Sequence, residues 1–402
     1  MTVESLVSDR DVDLRDEYRE RVALRWTSEP VQPIAGLTGG RLHEPPGPGL
    51  PLLLAPAYAL GGTTLAQLLI AALGALGGVA SAALARRLVP DPWATGSALV
   101  AGLSAPVLAW STGIGPEPVA AAALAGAAHF TLRVRDDPRF GRAASAALLI
   151  GLLPWLSVKF LPVAIVCAAA LARWLRRRSR GTTAFAALEI VLVPTVALIT
   201  VNERLYGGLT PYAAVPGSPT GADDAAAYAE RIPRLVTALF DPQLGLLVWA
   251  PFGVLAFLAL ELLARSLRER LAMALPTVVH MEVTAGFLAA LCGAQLLVAA
   301  FLVPSLEGDF FPGRDLLPAV PVGAALCAWG LRHAPRLLGL ALATLTVGGG
   351  VWLVLAGQLA AGAQLALPAG PLPWGGAEVA VCALAVAATV FLLARELIWR
   401  DR

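Results

Sequence analysis

Charged side chains are scarce in this sequence of 402 residues. Asp, Glu, Lys and Arg together make up 14% of it, whereas hydrophobic residues make up 57%. With a mean hydropathy of +0.71, this composition is typical of a membrane protein with several spans and not of a soluble globular domain. The net charge is only +2, and its cations are scattered. No nucleic-acid partner is expected, because such proteins concentrate basic residues on one face.

Cysteine and lysine are also rare. The four cysteines lie in apolar runs without the CxxC or Cys/His spacing of a metal site, which indicates packing roles. No P-loop, Rossmann glycine pattern or nucleophile elbow occurs at a usable position, so soluble-enzyme chemistry is unsupported. Lys159 is the single lysine among thirty Lys and Arg residues.

Apolar runs fill most of the chain after residue 48, and crossing a bilayer takes about 20 such residues of helix. The runs cover residues 63–85, 93–112, 118–134, 143–176 with a break, 182–201, 246–264, 275–303, 316–331, 337–356 and 379–394. We therefore predict an all-α, polytopic integral membrane protein with about 9 spanning helices plus one short hairpin. Residues 1–48 form a separate polar segment, here called the head, and residues 49–402 form the transmembrane domain.

The positions of the arginines orient these runs. Arginines cluster after the runs that end at residues 85, 134, 176, 264, 331 and 394, and segments 111–117 and 357–378 contain no Arg or Lys. Arginine-rich ends are cytoplasmic by the positive-inside rule. Arginine-rich and arginine-poor loops then alternate between the two sides of the membrane. This pattern is consistent along the whole chain only with the N-terminus outside and the C-terminus inside. This predicts a multi-pass plasma-membrane protein with external loops 202–245, 304–315 and 357–378. A short helix at 222–239 is expected within the first of these loops.

The broken run 143–176 has arginines at both ends, so it predicts a hairpin with arms near 143–157 and 160–176. Lys159 lies at its tip. A charged group at that depth is costly unless it faces a polar cavity or an anion, which makes Lys159 a functional candidate. The alternative is a lysine that extends to the outer interface.

The head concentrates acidic residues: Asp9, Asp11, Asp13, Asp16 and Glu17 fall within nine residues. Clustered carboxylates can bind a metal, accept a proton or contact a lipid headgroup. They are the candidate catalytic residues. The alternative is a solvated, partly disordered tail.

Further polar residues fall on the same, external side of the predicted topology. The candidate binding residues there are His43, Glu44, Glu117, Lys159, Asp241, Glu307, Asp309 and Arg314. Acids, an Arg and a Lys at an outer interface suit a lipid phosphate, which the cations would bind while a carboxylate acts as base. Glu117 has the alternative role of a helix N-terminal charge, and Asp241 that of a turn residue.

Several short segments together resemble a known family, the membrane glycosyltransferases of the GT-C type, particularly their actinobacterial members. In chain order these segments are 8–18 (SDRDVDLRDEY), 43–51 (HEPPGPGLP), 115–117 (GPE), 153–160 (LPWLSVKF), 205–208 (LYGG), 240–245 (FDPQLG) and 312–318 (PGRDLLP). The resemblance implies an inverting transfer of a hexosyl or pentosyl group from a polyprenyl-phosphate sugar to a glycan or protein acceptor outside the cytoplasm. It also implies a catalytic acid in the first external loop and often a divalent cation such as Mg or Mn.

Members of that family begin with a transmembrane helix whose outer end carries the first catalytic acid. The present sequence begins just beyond that point, at Met1, so the first helix is expected to be missing and the head acids are expected to substitute. Two rival hypotheses stay open. One is a non-catalytic lipid-binding or transporter-like membrane protein, and the other is an inactive scaffold paralogue.

Overall fold

The computed structural model describes residues 1–361 apart from 26–29, 46, 112, 178–180, 218–219, 223, 242–244, 270–275 and 305–312. The described helices are α1 (Thr2–Ser8), α2 (Arg15–Arg19), α3 (Gly49–Ala85), α4 (Trp93–Gly102), α5 (Ala105–Ser111), α6 (Pro116–Asp136), α7 (Phe140–Leu156), α8 (Leu161–Arg177), α9 (Gly181–Tyr206), α10 (Ala225–Ala229), α11 (Arg234–Phe240), α12 (Leu246–Trp249), α13 (Leu255–Glu269), α14 (Pro276–Leu297), α15 (Val320–His333) and α16 (Arg336–Ala361). Two short strands in the head, β1 (Leu37–Thr38) and β2 (Arg41–Leu42), pair antiparallel.

Within the described ranges, five helical stretches are long and apolar enough to cross a bilayer, and the bent pair α4–α5 would make a sixth. The five are Gly49–Ala85, Val158–Arg177, Gly181–Ala214, Val279–Leu302 and Arg336–Leu355. The all-α membrane architecture is thereby confirmed, whereas the larger span count and the orientation stay predictions. The run 379–394 and most of the loop 357–378 lie outside the described residues.

The predicted hairpin is present. Its arms are α7 and α8, each of 17 residues, and a 3₁₀ turn at Val158–Phe160 joins them. Ser157 and Lys159 therefore lie at a tight tip. The arms are about 25 Å long at 1.5 Å per residue, and the turn together with α8, Val158–Arg177, is long and apolar enough to cross a bilayer.

Proline breaks two segments that were predicted as continuous helices. The run 246–264 consists of α12, a 3₁₀ turn at Pro251–Val254 and α13. The expected helix 222–239 is two short helices, α10 and α11, separated at Pro233. Proline has no N–H to donate and its ring clashes with the preceding turn, so the helix ends before it. The run 93–112 is likewise two helices, α4 and α5, bent by 58°.

The polar head packs against one end of the helical bundle, here called the head end. The Gly36 amide donates to the Ala214 carbonyl at 2.7 Å, and the His43 ring meets the Tyr206 ring edge-on. Leu14, Ala35 and Leu42 form a small buried core of the head's own. The described residues of this segment are therefore folded against the bundle and do not form a free tail.

The opposite end of the bundle holds the arginine clusters and is here called the arginine end. Arg87 at the end of α3 pairs with Asp136 at the end of α6, with 2.6 Å between Nη1 and Oδ2. Arg135 of α6 donates to Thr284 of α14 at 2.8 Å. The start of α6, by contrast, lies at the head end. Arginines that follow apolar helices at the same end of a bundle are the pattern that the positive-inside rule describes.

Small residues allow the helices to approach closely. Gly330 of α15 has its α-carbon so close to the Leu255 carbonyl that an added Cβ would overlap that oxygen. Gly78 of α3 has open space at the same position. Close backbone approach at glycine is a common basis of helix packing in membranes.

We expect Gly330→Ala to lower the thermal unfolding temperature of the purified protein, because overpacking a close contact costs about 1–3 kcal/mol. Gly78→Ala is the matched control, and it should leave the temperature unchanged or raise it slightly, since Ala favours a helix by about 1 kcal/mol over Gly. Equal unfolding temperatures for both variants would contradict the packing described here.

Candidate functional site

Glu117 is the centre of a charged cluster at the head end. It is the second residue of α6, between Pro116 and Pro118, and is 0% exposed. Its Oε1 accepts from Lys159 Nζ at 2.6 Å and from Arg314 Nε at 2.9 Å. A position near a helix N-terminus favours the carboxylate, but the ion pairs show that Glu117 does more than balance the helix dipole.

Lys159 reaches the cluster from the hairpin tip. Its Nζ also donates to Asp315 Oδ1 at 2.8 Å, and its side chain is 15% exposed. The lysine thus bridges two carboxylates from different parts of the chain. The alternative in which it extends to the interface is wrong, because the ammonium group lies within the protein.

Arg314 and Asp315 enter the cluster from a 3₁₀ turn, Arg314–Ala319, that leads into α15. Gly313 before it has a left-handed backbone, φ 82°, which a residue with a Cβ adopts with difficulty. Gln295 of α14 is fully buried and donates its side-chain amide to the Asp315 carbonyl at 2.6 Å. These two features fix the turn so that both charged side chains point at Glu117 and Lys159.

The cluster is electrically balanced among the residues that the structure describes. Lys159 and Arg314 supply two positive charges, and Glu117 and Asp315 supply two negative charges. The Arg314 guanidinium also lies over the Trp110 ring, 5.3 Å from its centroid, and is 34% exposed. Both predicted phosphate-binding cations are therefore brought together, each already paired with a carboxylate.

Three of the five head acids form a second group. Carboxylate oxygens of Asp9, Asp16 and Glu17 lie within 4.8 Å of one another. Asp9 and Asp16 are exposed, whereas Glu17 is 4% exposed and its oxygens meet no donor among the described residues. Burial, followed by the interaction with Asp16, raises the pKa of Glu17 to about 7. The same interaction lowers the pKa of Asp16. A neighbouring pair with separated pKa values is a common basis of acid–base chemistry.

The remaining two head acids hold the local fold. Asp11 Oδ1 accepts from the Ser5 hydroxyl at 3.0 Å and from the Asp13 amide at 3.1 Å. Asp13 Oδ1 accepts from the Leu42 amide at 3.0 Å. Burial opposes ionisation of Asp13, but the bonds from Arg15 and the Leu42 amide outweigh it and lower its pKa. Asp13 thus ties the start of α2 to strand β2.

His43 and Glu44 also make defined contacts within the head. His43 Nδ1 lies 2.7 Å from the Val12 carbonyl. Glu44 Oε1 accepts from the Tyr18 hydroxyl at 2.6 Å and from the Ile34 amide at 3.0 Å. Since Tyr18 follows Glu17 on α2, this contact positions the helix that carries the acidic pair. In the structure, Glu44 is linked to the acids through Tyr18.

Asp241 lies apart from these groups in the chain, at the end of α11. Its amide donates to Thr237, and its carbonyl accepts from Gly245 at 2.9 Å, which agrees with the turn interpretation. Glu307 and Asp309 lie outside the described residues.

An apolar cavity of about 240 Å³ lies between α4, α11 to α15 and the 3₁₀ turn of Arg314. Leu316, Ala319 and Val320 line it, together with Leu246 and Gly293. Because Leu316 follows Asp315 directly, the cavity adjoins the turn that carries two residues of the charged cluster. An apolar space beside paired charges fits a ligand with a polar head and an aliphatic chain.

Two site residues were missing from the sequence-based candidates. Asp315 was left out although it adjoins Arg314, and only its contact with Lys159 shows its role. Gln295 lies in an apolar run, and the signal that could have found it is a lone amide among hydrophobic residues. Such groups are rarely buried without a partner.

Replacing Lys159 by Met should destabilise the protein strongly, because removing one partner of a buried ion pair costs about 3–5 kcal/mol. The measurement is the thermal unfolding temperature in detergent. Arg15→Met provides the control, since Arg15 pairs with Asp13 while 52% exposed, and such a solvent-screened pair contributes little to stability. Equal losses in the two variants would contradict a buried cluster.

No protein-family model matches the chain, and no curated protein matches it in sequence. Its structure is similar to the crystal structure of ArnT from Cupriavidus metallidurans in the apo state, with a TM-score of 0.50, 18% identity, and coverage of 94% of this chain and 66% of ArnT. For ArnT bound to undecaprenyl phosphate the TM-score is 0.49, the identity is 16%, and the coverage is 96% and 66%. The chain therefore spans about two thirds of the length of ArnT. The fold of this chain is that of ArnT, a membrane glycosyltransferase of the GT-C type, as the sequence resemblance predicted.

Proposed function

We propose that this protein is a membrane glycosyltransferase that takes a sugar from a polyprenyl-phosphate donor. The observation that carries the proposal is the charged cluster of Glu117, Lys159, Arg314 and Asp315 beside an apolar cavity, within a fold shared with ArnT. One of the ArnT structures holds undecaprenyl phosphate, which is the class of lipid that we assign to the present site.

The donor phosphate binds to Lys159 and Arg314. The Lys159 ammonium has three N–H bonds, of which two are directed at Glu117 and Asp315. Arg314 pairs with Glu117 through Nε, and 34% of its side chain is exposed. Guanidinium and ammonium groups form short, charge-assisted hydrogen bonds to phosphate oxygens. The polyprenyl chain then enters the cavity at Leu316.

The acidic pair Asp16–Glu17 supplies the general base. In the proposed reaction the base takes the proton of an acceptor hydroxyl, the acceptor oxygen forms a bond to the anomeric carbon, and the bond from that carbon to the phosphate oxygen breaks. The electron pair of that bond leaves with the phosphate, and the anomeric configuration inverts. A base is most effective when its pKa lies near the working pH. The pKa of Glu17 is about 7, which favours the pair that includes Glu17.

The resemblance also implies a divalent cation, and Asp9, Asp16 and Glu17 fit one. They offer three carboxylate oxygens within 4.8 Å, the ligand type that Mg²⁺ and Mn²⁺ accept. A cation held there would add positive charge close to the acceptor. The proposed base and the phosphate-binding side chains Lys159 and Arg314 are part of this protein. The proposal does not depend on a bound metal ion.

The site is proposed to face the outside of the plasma membrane. The support is the separation of charge along the bundle, with the head at one end and Arg87, Arg135 and Arg142 at the other. The acceptor, a glycan or a protein, would then reach the head from the extracytoplasmic side.

The acidic pair can be tested by transfer of radiolabelled sugar from a panel of polyprenyl-phosphate hexoses and pentoses. Asp16→Asn should reduce transfer by about 10²–10⁴-fold, the usual contribution of a general base. The rate should rise with pH through about 7, because a raised pKa keeps Glu17 protonated below that value. Glu17→Gln should also reduce transfer, and it should remove this rise.

Glu20→Gln is the matched control, since Glu20 is an exposed acid of the same head, and it should keep the parent rate and pH profile. An unchanged rate in Asp16→Asn and Glu17→Gln would overturn their assignment as base. Binding of the lipid without transfer of any sugar would favour the lipid-binding alternative.

The cavity can be tested by filling it. Gly293 of α14 lines the cavity and has open space where a side chain would begin, so Gly293→Leu should weaken binding of a long polyprenyl phosphate about tenfold. Gly286 of the same helix also has open space but does not line the cavity. If Gly286→Leu weakened binding equally, the cavity would not hold the chain.

A further inference from the structure

The charge balance of the cluster has a chemical consequence for the ligand it binds. Among the described residues, two cations and two carboxylates meet there, so the net charge is zero. Two cations alone would attract most strongly the ligand with the largest negative charge. The two fixed carboxylates oppose that preference, because like charges at close range repel.

Asp315 is the carboxylate that can be changed with the least disturbance to the protein. Glu117 is held by both cations, whereas Asp315 pairs with Lys159 alone among the described residues. The position of Asp315 is fixed through its backbone, since Gln295 binds its carbonyl at 2.6 Å. Its side chain is 12% exposed, so water screens its charge only in part.

The donor and the product of the proposed reaction differ in charge at the phosphate. A polyprenyl-phosphate sugar is a phosphodiester with one negative charge. The polyprenyl phosphate left after transfer is a phosphomonoester, and near neutral pH its charge is about −1.5 to −2. The reaction therefore adds negative charge next to Asp315.

We propose that Asp315 is a specificity-determining residue that shifts the phosphate site toward the singly charged phosphodiester and away from the doubly charged phosphomonoester. This inference rests on the proposed function. Its consequence for the reaction is release of the spent lipid, which the carboxylate repels as soon as the sugar has left. Lys159 and Arg314 bind the phosphate, and Asp315 limits how tightly they hold the product.

The test compares two lipids with the purified protein in nanodiscs at pH 8. One is a polyprenyl phosphate and the other is its methyl phosphodiester, which keeps a single charge and the same chain. Asp315→Asn keeps an oxygen that can accept from Lys159 but removes the negative charge. We expect the ratio of dissociation constants, monoester over diester, to fall about tenfold in Asp315→Asn relative to the parent protein.

Glu203→Gln is the matched control, because it also removes one negative charge, at an exposed position on the last turn of α9. Its ratio should equal that of the parent protein, and the unfolding temperatures show whether each variant is folded. An unchanged ratio in Asp315→Asn, with both lipids bound, would overturn the role of Asp315 and leave the phosphate site intact. If neither lipid bound the parent protein, the proposed function would fail as well.

Discussion

A buried carboxylate sets the requirements that the rest of this site meets. Glu117 is fully buried, and moving one ion from water into a protein interior costs several kcal/mol, about the whole stability of a small domain. Cations brought from elsewhere in the chain offset this cost. Lys159 arrives on a hairpin tip and Arg314 on a 3₁₀ turn, so one buried charge fixes the relative positions of three separate segments.

The same requirement explains two unusual features of the fold. The hairpin turns sharply at Val158–Phe160, and that turn brings Lys159 to Glu117 and Asp315. The turn before α15 begins with a left-handed glycine and is anchored by the buried Gln295, which directs Arg314 and Asp315 inward. The hairpin turn and the turn before α15 both place charged side chains inside the protein, where each needs a partner.

Much of the architecture was readable from sequence, since apolar runs of span length and arginines at alternate ends are strong signals. The hairpin at Lys159 was predicted for that reason. The proline breaks at Pro233 and Pro251 were missed, because an apolar run hides the loss of a single hydrogen bond. The pairing of Lys159 with Asp315 joins residues 156 positions apart, and no pattern within either segment reports such a contact. The five head acids looked alike in sequence, and only their partners separate Asp13, which holds the fold, from Asp16 and Glu17.

The central claim is that a lipid phosphate binds at the charged cluster with its chain in the adjoining cavity. A cryo-electron microscopy structure of the protein in nanodiscs with a polyprenyl phosphate tests it most directly. The account predicts phosphate density within hydrogen-bond distance of Lys159 Nζ and the Arg314 guanidinium, and chain density along Leu316 and Gly293. Lipid density elsewhere, with the four charged side chains paired as they are here and the cavity unoccupied, would contradict it.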